Sequence, residues 1–221
     1  MTHRILIILL ALSILPSWAD ETAPQPGADK IVQYEADGGG MLATAGVDWN
    51  RYTKILLDRA TVEFREDWVK DQERLNNNIV REQDLAQIRS WMAELVQQVI
   101  TGKTSDSDRY ELTDASGADV LRFTPRIVKL DILAPGKAQG IVGNVLVDGK
   151  GSMVLVMDIS DALSGKLLAS AWRLEVDPDK GFMETATEAG NKTAFKRMIE
   201  NWTGWFFAML DYVRENPSGA G

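Results

Sequence analysis

The sequence predicts an α+β fold, a two-layer sandwich in which two helices lie on one face of a curved sheet of four or five strands. Two stretches carry this prediction. Residues 153–176 contain two runs of alternating apolar side chains around a polar connection, which is typical of a central β-hairpin. Residues 191–214 repeat large apolar side chains at three- and four-residue spacing, which is typical of a helix packed on a sheet.

The hairpin has a polar connection, residues 161–166, between its two apolar runs. Gly165 can take the positive φ that such a turn needs, so we assign Asp161 and Gly165 to a structural turn. Burial of one face sets the register of the strands, because a one-residue slip would turn that face to water. The side chains expected on the buried face are Met153, Leu155, Met157 and Ile159 in the first strand and Leu168, Trp172, Leu174 and Val176 in the second.

Residues 1–19 have the composition of a secretory signal peptide. Arg4 precedes a largely apolar run of eleven residues, and the small residues Ser17 and Ala19 stand where signal peptidase reads the chain. We expect cleavage between Ala19 and Asp20. Eleven residues are too few to cross a hydrocarbon core about 30 Å thick, so we expect no stable membrane anchor after cleavage and a periplasmic product.

Residues 20–47 contain two prolines and three consecutive glycines but few apolar side chains. A segment of this composition cannot bury enough apolar surface to fold alone, so we expect a flexible leader, either a plain linker or a tether to a membrane or partner. Residues 48–215 are expected to form a single α+β domain, and residues 216–221 a disordered tail.

The remaining elements surround the hairpin. Alternation in residues 52–64 predicts a first strand, and helical spacing over residues 80–102 predicts an amphipathic helix. Residues 119–133 predict a strand with a bulge or break near Pro125, where the apolar positions change from odd to even. A glycine-rich connection, residues 136–151, leads into the hairpin.

Two pairs of residues are candidates for interaction with a partner. Trp202 and Trp205 in the last helix could form an aromatic anchor, although packing on the hairpin explains the same apolar stripe. Arg122 and Arg126 alternate on one strand face and could receive an anionic group, although exposed strand charges more often protect a sheet edge.

Composition excludes several classes of function. The chain has no cysteine and one histidine, His3, which signal cleavage removes. The mature protein therefore lacks the residues of Ser/His/Asp and Cys/His catalysis, of imidazole or thiolate zinc sites, and of disulfides. A net charge of −8 at pH 7 argues against a nucleic-acid partner, whose phosphates require clustered Lys and Arg.

Acidic residues are the remaining source of chemistry. Residues 177–188 place acids at the first, third and twelfth positions of a calcium loop, but Phe182 stands where that loop needs glycine. Asp131, Asp158 and Asp161 are candidates for paired-carboxylate catalysis, yet a turn or a solvent-facing position explains each of them. We therefore expect no catalytic residue, no metal and no cofactor.

Several blocks of the sequence together resemble the DUF3313 family of exported bacterial proteins, many of them lipoproteins of uncharacterised function. The turn at residues 161–166 is similar to the family's Asp-x-x-Thr-Gly-Glu pattern, with Ser164 and Lys166 as departures. The chain lacks the lipobox cysteine, so the resemblance implies an exported protein without a lipid anchor. The other blocks are residues 47–57 with Thr61 and Val62, the strand after Asp119, and residues 202–210 of the last helix.

These observations predict an exported cell-envelope accessory or protein-interaction module without catalytic activity, with an envelope protein as partner and the oligomeric state left open. The alternative is a periplasmic small-ligand binder or a carboxylate-dependent hydrolase. A binder or hydrolase needs a concave pocket with converging polar groups, whereas an accessory domain needs a flat apolar patch or an open sheet edge.

Overall fold

The computed structural model describes residues 30–76, 79–132, 146–147, 151–177, 184–185 and 188–217. The predicted signal peptide, the cleavage site between Ala19 and Asp20, and most of the glycine-rich connection lie outside the described residues. In the part of the chain that is described, no helix is both long enough and apolar enough to cross a membrane.

The described chain contains ten strands, three α-helices and a short 3-10 helix at Trp49–Arg51. The strands are β1 (Ile31–Ala36), β2 (Gly39–Thr44), β3 (Lys54–Leu57), β4 (Thr61–Phe64), β5 (Glu111–Leu112), β6 (Val120–Ile132), β7 (Leu146–Val147), β8 (Gly151–Asp161), β9 (Leu167–Val176) and β10 (Glu184–Thr185). The helices are α1 (Trp68–Asn76), α2 (Glu82–Ser105) and α3 (Glu188–Glu215).

Eight strands form one mixed sheet in the order β1-β2-β9-β8-β6-β3-β5, with β4 pairing with β6 beyond the end of β3. β6, β8 and β9 are antiparallel neighbours in its middle, whereas β3 and β4 run parallel to β6. The α+β class is confirmed. The predicted count of four or five strands is wrong, because β1, β2 and β5 join the sheet and the predicted first strand is divided into β3 and β4.

The first hairpin corrects the prediction of a flexible leader over residues 31–44, whereas residues 20–29 of that predicted leader lie outside the described residues. β1 and β2 pair along their whole length through a turn at Asp37 and Gly38, both of which have positive φ. Tyr34 and Met41 from this hairpin are completely buried. The segment has too few apolar residues to fold alone, but it folds here because β2 pairs with β9 and so extends an existing sheet.

β8 and β9 form the predicted central hairpin, and Gly165 in its turn has a φ of +73°. We call the sheet face that the helices cover the inner face, and the opposite one the outer face. The predicted buried face of β8 is confirmed as part of the inner face. Its residues, each at most 1% exposed, are Met153, Leu155, Met157 and Ile159.

The predicted buried face of β9 is wrong from residue 172 onward. Ala169 and Ala171 lie on the inner face and are completely buried. Trp172, Leu174 and Val176 therefore lie on the outer face, since side chains alternate along a strand. The two alanines share the core with the aromatic side chains of α3, so their small size leaves volume for a bulky helix.

β6 changes its buried face at a bulge, but at Lys129 instead of Pro125. The pairing of β6 with β8 shifts around Lys129, which has a φ of +53°. β3 pairs with β6 as far as Phe123 and β4 from Arg126 onward, so Pro125 lies at the break between them. Its missing N–H points to that break and costs no ladder hydrogen bond.

α2 and α3 share one hydrophobic core with the inner face. α3 is the predicted last helix, and α2 corresponds to the helix predicted over residues 80–102. The hydroxyl of Tyr34 donates to the backbone carbonyl of Asn216 at 2.8 Å. Asn216 is therefore held by the domain, and of the predicted disordered tail only residues 218–221 lie outside the described residues.

α1 is a helix that the sequence did not predict, because its residues are mostly polar. Its position depends on Trp68, which is almost completely buried. The indole N–H of Trp68 donates to the carbonyl of Ile132 at 2.9 Å. The ring also stacks on Phe64, with 4.5 Å between the ring centroids. Arg65 adds a second connection, because it bonds both Asp71 of α1 and Asp131 of β6.

Candidate interaction surface

An apolar patch covers part of the outer face, on the side of the sheet away from the helices. Val156 pairs with Trp172 across β8 and β9, and Val154 pairs with Leu174. Leu174 is 55% exposed and Val176 is 56% exposed. We call this the outer-face patch. Leu174 and Val176 are its exposed members, whereas the half-buried Trp172 packs on a buried cluster of Val128, Val154 and Val156.

The indole of Trp172 lies across β2 because the β2 residue beneath the indole is a glycine. Gly40 of β2 pairs with Trp172 of β9. A Cβ atom on Gly40 would lie 2.7 Å from the Cζ2 atom of the Trp172 indole, closer than real side chains approach. The glycine therefore lets the indole lie flat against the sheet, which extends the outer-face patch over β2.

Arg122, a predicted interaction residue, does lie on the outer face but is already paired. Its Nε and Nη2 donate to the two carboxylate oxygens of Asp58 at 2.8 and 3.0 Å. The Thr124 hydroxyl donates to the same carboxylate at 2.7 Å. Burial opposes ionisation of Asp58, but the hydrogen bonds from Arg122 and Thr124 hold its pKa below the usual value.

Arg126, the second predicted arginine, is paired in the same way. Its Nε donates to Asp158 at 3.0 Å, and Ser170 donates to the other oxygen of that carboxylate at 2.7 Å. Both charged side chains are largely buried against the sheet. Each of the two arginines thus has an aspartate within the chain, and an incoming anion would compete with that aspartate.

The two predicted tryptophans lie on the other side of the sheet from the arginines. Trp202 is completely buried and stacks on Phe206 with 5.3 Å between ring centroids. Trp205 is half-buried, and its indole N–H donates to the carbonyl of Ala36 at 3.2 Å. The four predicted interaction residues therefore do not form one surface, and Trp202 offers no exposed ring.

The predicted structural turn binds the 3-10 helix. The carboxylate of Asp161 accepts hydrogen bonds from Arg51 and, at 2.8 Å, from the Tyr52 hydroxyl. It also accepts the backbone N–H and the hydroxyl of Ser164 at 2.8 and 2.9 Å, which closes the turn. Two blocks of the DUF3313 resemblance, residues 47–57 and the turn, therefore contact one another.

Electrostatics explain why this contact is stable. Burial alone would raise the pKa of Asp161, but the Ser164 and Tyr52 hydrogen bonds and the charge of Arg51 lower it to about 2. Burial and the adjacent Asp161 raise the pKa of Tyr52 to about 12. Asp161 is thus charged and Tyr52 neutral across the physiological range, which suits a structural lock better than a proton-transfer pair.

Arg214 strengthens the same end of the domain. Its Nη2 donates to the carbonyls of Trp49 and Tyr52 at 3.1 and 3.2 Å and to the Tyr110 hydroxyl at 2.7 Å. Arg214 belongs to the last turn of α3, where a cation interacts favourably with the negative end of the helix dipole. The buried guanidinium therefore joins the helix end to the chain that precedes β3.

The candidate catalytic carboxylates do not converge. Asp158 lies on the outer face, whereas Asp161 lies at the edge of the inner face beside Leu121, so the two point to opposite sides of the sheet. Asp131 is bound by Arg65 at 2.6 Å. No group of three or more metal-ligating side chains occurs among the residues that the structure describes.

Glu175 and Asp177 lie at the end of β9. Burial raises the pKa of Glu175, and Arg173, whose Nε is 3.3 Å from its carboxylate, offsets this only in part. Asp177 is almost completely buried and pairs with Arg197 of α3. Asp177 is the first residue of the predicted acidic loop at 177–188, and the side chains of the rest of that loop lie outside the described residues.

Sequence reasoning missed the outer-face patch, although a signal for it was present. The alternation of Trp172, Leu174 and Val176 was recognised but assigned to the core. The positions between them indicated the opposite assignment, because Ala169 and Ala171 are small enough to lie beneath a helix rich in aromatic residues.

Comparisons with known proteins add little to this description. The sequence matches no protein-family model and none of the curated proteins, so the resemblance to DUF3313 stays a prediction. Similar solved structures include a PelC dodecamer from Paraburkholderia phytofirmans, at 8% identity and a TM-score of 0.36, covering 83% of this chain and 99% of that one.

Two further solved structures are similar to the same extent. A DUF330 protein from Xanthomonas campestris has 11% identity and a TM-score of 0.38, covering 75% of this chain and 88% of that one. A homologue of a neuraminyllactose-binding hemagglutinin from Helicobacter pylori has 9% identity and a TM-score of 0.39, covering 78% and 89%. At these TM-scores the likenesses carry no conclusion about this chain.

Proposed function

We propose that this chain is an exported protein-interaction module of the cell envelope, without catalytic activity, that binds an envelope protein through the outer-face patch. The observation that carries the proposal is the exposure of Leu174 and Val176 beside Trp172 on the outer face of the sheet. Single exposed apolar residues are ordinary, but a contiguous group with an aromatic member is typical of an interaction site.

The charges around the patch favour an uncharged, apolar protein surface as the partner. Arg122 and Arg126 are bound by Asp58 and Asp158, so they add little attraction for phosphate. The net charge of −8 would also repel nucleic acid and anionic lipid headgroups. A partner that presents apolar side chains would bury the patch without having to break either ion pair.

The carboxylate chemistry supports a module without catalytic activity. Asp161 is held charged by its hydrogen bonds, and the described candidates Asp131, Asp158 and Asp177 are each bound by an arginine. A hydrolase would instead place two acids on one face with different protonation states.

Substitution of the patch tests the proposal. Envelope fractions would be crosslinked and captured with the wild-type chain, with Leu174→Asp, with Val176→Asp and with Leu163→Asp. Leu163 is 67% exposed but lies in the β8–β9 turn, so Leu163→Asp is a matched control away from the patch. We expect the amount of captured partner to fall at least about tenfold with both patch variants, because binding would bury a carboxylate that has no hydrogen-bonding partner. The control variant should capture as much partner as the wild-type chain.

Melting temperatures close to that of the wild-type chain would show that the variants are folded. Equal capture by all four proteins would contradict the proposed surface. Absence of any captured protein, together with a thermal shift produced by one metabolite, would favour a small-ligand binder instead.

A further inference from the structure

Glu35 lies beside the outer-face patch on the neighbouring hairpin. It is opposite Gly40 in the pairing of β1 with β2, and Gly40 is opposite Trp172 in the pairing of β2 with β9. The three residues form one row across the outer face, because residues that are directly opposite share a sheet face. The Trp172 indole covers Gly40, so it extends from β9 in the direction of Glu35.

A second acidic residue, Asp37, lies in the β1–β2 turn on the same side of the patch. β2 begins at Gly39, which is opposite Arg173, so the turn lies beside the next residue of β9, Leu174. The side chains of Glu35 and Asp37 are both exposed. The outer-face patch is therefore bordered by two carboxylates along its β1–β2 side.

No described lysine or arginine neutralises these two carboxylates. Glu35 accepts a hydrogen bond from the Gln33 amide at 2.6 Å, and neither Glu35 nor Asp37 forms an ion pair within the described chain. On the β6 side of the patch, by contrast, Arg126 is bound by Asp158. At physiological ionic strength a charge acts over only about 8 Å, so these two border charges act on a bound partner more strongly than the distant part of the net charge.

The apolar patch and its acidic border together identify one kind of partner. We propose that the partner surface that covers the outer-face patch carries basic residues, Lys or Arg, along the border that faces Glu35 and Asp37. This rests on the proposed function and specifies the partner's chemistry. The centre of the partner surface, over Leu174 and Val176, stays apolar and uncharged, and only its border is charged. The two carboxylates repel an acidic border and so exclude partners of that charge.

The border charges contribute less to affinity than the apolar contact does. Each solvent-exposed ion pair changes affinity by only a few-fold, and salt weakens it further. Two such pairs together change affinity by roughly tenfold at low ionic strength. A dependence on salt therefore identifies the contribution of the border.

Peptides of opposite charge test the border directly. The probes are the acetylated, amidated hexapeptides Lys-Lys-Leu-Val-Leu-Val and Glu-Glu-Leu-Val-Leu-Val, which have the same apolar part. We expect the wild-type chain to bind the lysine peptide at least about tenfold more tightly in about 20 mM salt, and the difference to fall to about threefold or less in about 500 mM salt. Calorimetry measures both dissociation constants, and equal binding of the two peptides in low salt overturns the inference.

Two double substitutions separate the border from the net charge. Glu35→Gln with Asp37→Asn removes both border carboxylates, and asparagine readily adopts the positive φ of residue 37, so the turn should stay folded. Glu111→Gln with Asp114→Asn changes the net charge equally, but removes two exposed carboxylates in or after β5, at the opposite edge of the sheet.

We expect the border variant to bind the two peptides within about threefold of one another, and the β5 variant to keep the wild-type preference for the lysine peptide. The same preference in both variants would assign the effect to the net charge and overturn the inference.

A neutral substitution in the patch shows where the peptides bind. Leu174→Ser removes an apolar contact without adding a charge, so the lysine peptide should bind at least about fivefold more weakly. Binding that Leu174→Ser leaves unchanged would place the peptide elsewhere on the protein and overturn the inference.

The outcomes distinguish this inference from the proposed function. Loss of the captured envelope protein in Leu174→Asp, with full capture by the variant that lacks the Glu35 and Asp37 carboxylates, would keep the interaction surface and overturn the basic border. Capture that Leu174→Asp leaves unchanged would overturn the surface itself. Wild-type dimers in sedimentation that Leu174→Ser abolishes would assign the patch to a second copy and overturn both.

Discussion

Asp161 connects the β8–β9 turn to the 3-10 helix. Its carboxylate accepts hydrogen bonds from Arg51, Tyr52 and Ser164, three residues that belong to two distant parts of the chain. A charged group is stable at this buried position only because each of these donors replaces a lost water. The stability of the contact therefore depends on the ionised form of Asp161.

We expect Asp161→Asn to lower the free energy of unfolding by about 2 kcal/mol at pH 7, the value of a pKa lowered from 3.8 to about 2. Because the folded pKa is depressed, this stabilisation is present above about pH 4 and is lost as the pH falls toward 2. Denaturant titrations at pH 7 and pH 2.5 measure the difference. Asp114→Asn, an exposed loop substitution, is the control, and a loss at Asp161 that does not depend on pH would contradict the electrostatic account.

Glu175 has the opposite effect on stability. Burial raises its folded pKa above the ordinary value of 4.5, so the ionised form opposes folding at neutral pH. This destabilisation is present above the folded pKa and disappears as the pH falls toward the unfolded value. We expect Glu175→Gln to be more stable than the wild-type chain at pH 8 and equally stable near pH 4, measured by thermal unfolding at both values. A variant that is less stable at pH 8 would show that the Arg173 ion pair outweighs desolvation.

At the scale of elements, close backbone approach determines how the sheet is joined. Gly151 begins β8 with a φ of +136°, and a Cβ there would lie 2.0 Å from the backbone oxygen of Asp131. This contact lies beside the bulge at Lys129, where the pairing of β6 and β8 shifts. Only glycine permits the two strands to meet in this geometry.

Two glycine-to-alanine substitutions, expected to change the free energy of unfolding in opposite directions, test this point. Gly151→Ala should lower the free energy of unfolding by about 3 kcal/mol or more, because the new methyl group would clash with a backbone atom and the positive φ disfavours any side chain. Gly204→Ala should stabilise the chain by about 1 kcal/mol, since a Cβ on this α3 residue meets no atom within 4 Å. Denaturant unfolding measures both, and similar effects at the two sites would contradict the close approach at Gly151.

The elements also show where sequence periodicity was sufficient. The helix predicted over residues 80–102 and the long last helix are both present, because an amphipathic stripe repeated over many turns is a strong local signal. The bulge was predicted near Pro125 and occurs at Lys129, because the sequence shows that the buried face changes but not which residue is left unpaired. α1 has no such stripe, and the contacts that attach it to the sheet, such as the hydrogen bond from Trp68 to Ile132, join residues far apart in the sequence.

At the scale of the whole molecule, the sheet is completed by a segment that looks disordered in isolation. β1 and β2 cover the edge of β9 and bury Tyr34 and Met41. The Tyr34 hydroxyl also connects this hairpin to the chain beyond α3 through Asn216. The N-terminal hairpin and the C-terminal residues therefore stabilise one another.

We expect deletion of residues 31–44 to abolish cooperative unfolding, since it removes several buried side chains at about 2 kcal/mol each from a domain whose total stability is only about 5–15 kcal/mol. Tyr34→Phe, which removes only the hydroxyl, should lower stability by about 1 kcal/mol. Thermal melts followed by circular dichroism compare the three proteins. A deletion protein that melts at the wild-type temperature would restore the flexible-leader prediction.

The sequence by itself determined the α+β class, the central hairpin with Gly165 in its turn, and the long helices, because hydrophobic periodicity and turn chemistry are local properties. It also excluded histidine and cysteine chemistry from the chain after residue 3. The tertiary structure alone decided that residues 31–44 join the sheet, that Arg122 and Arg126 have aspartate partners, and that Leu174 and Val176 face outward. Each of these depends on which strand or helix lies next to the residue, and such neighbours are far apart in the sequence.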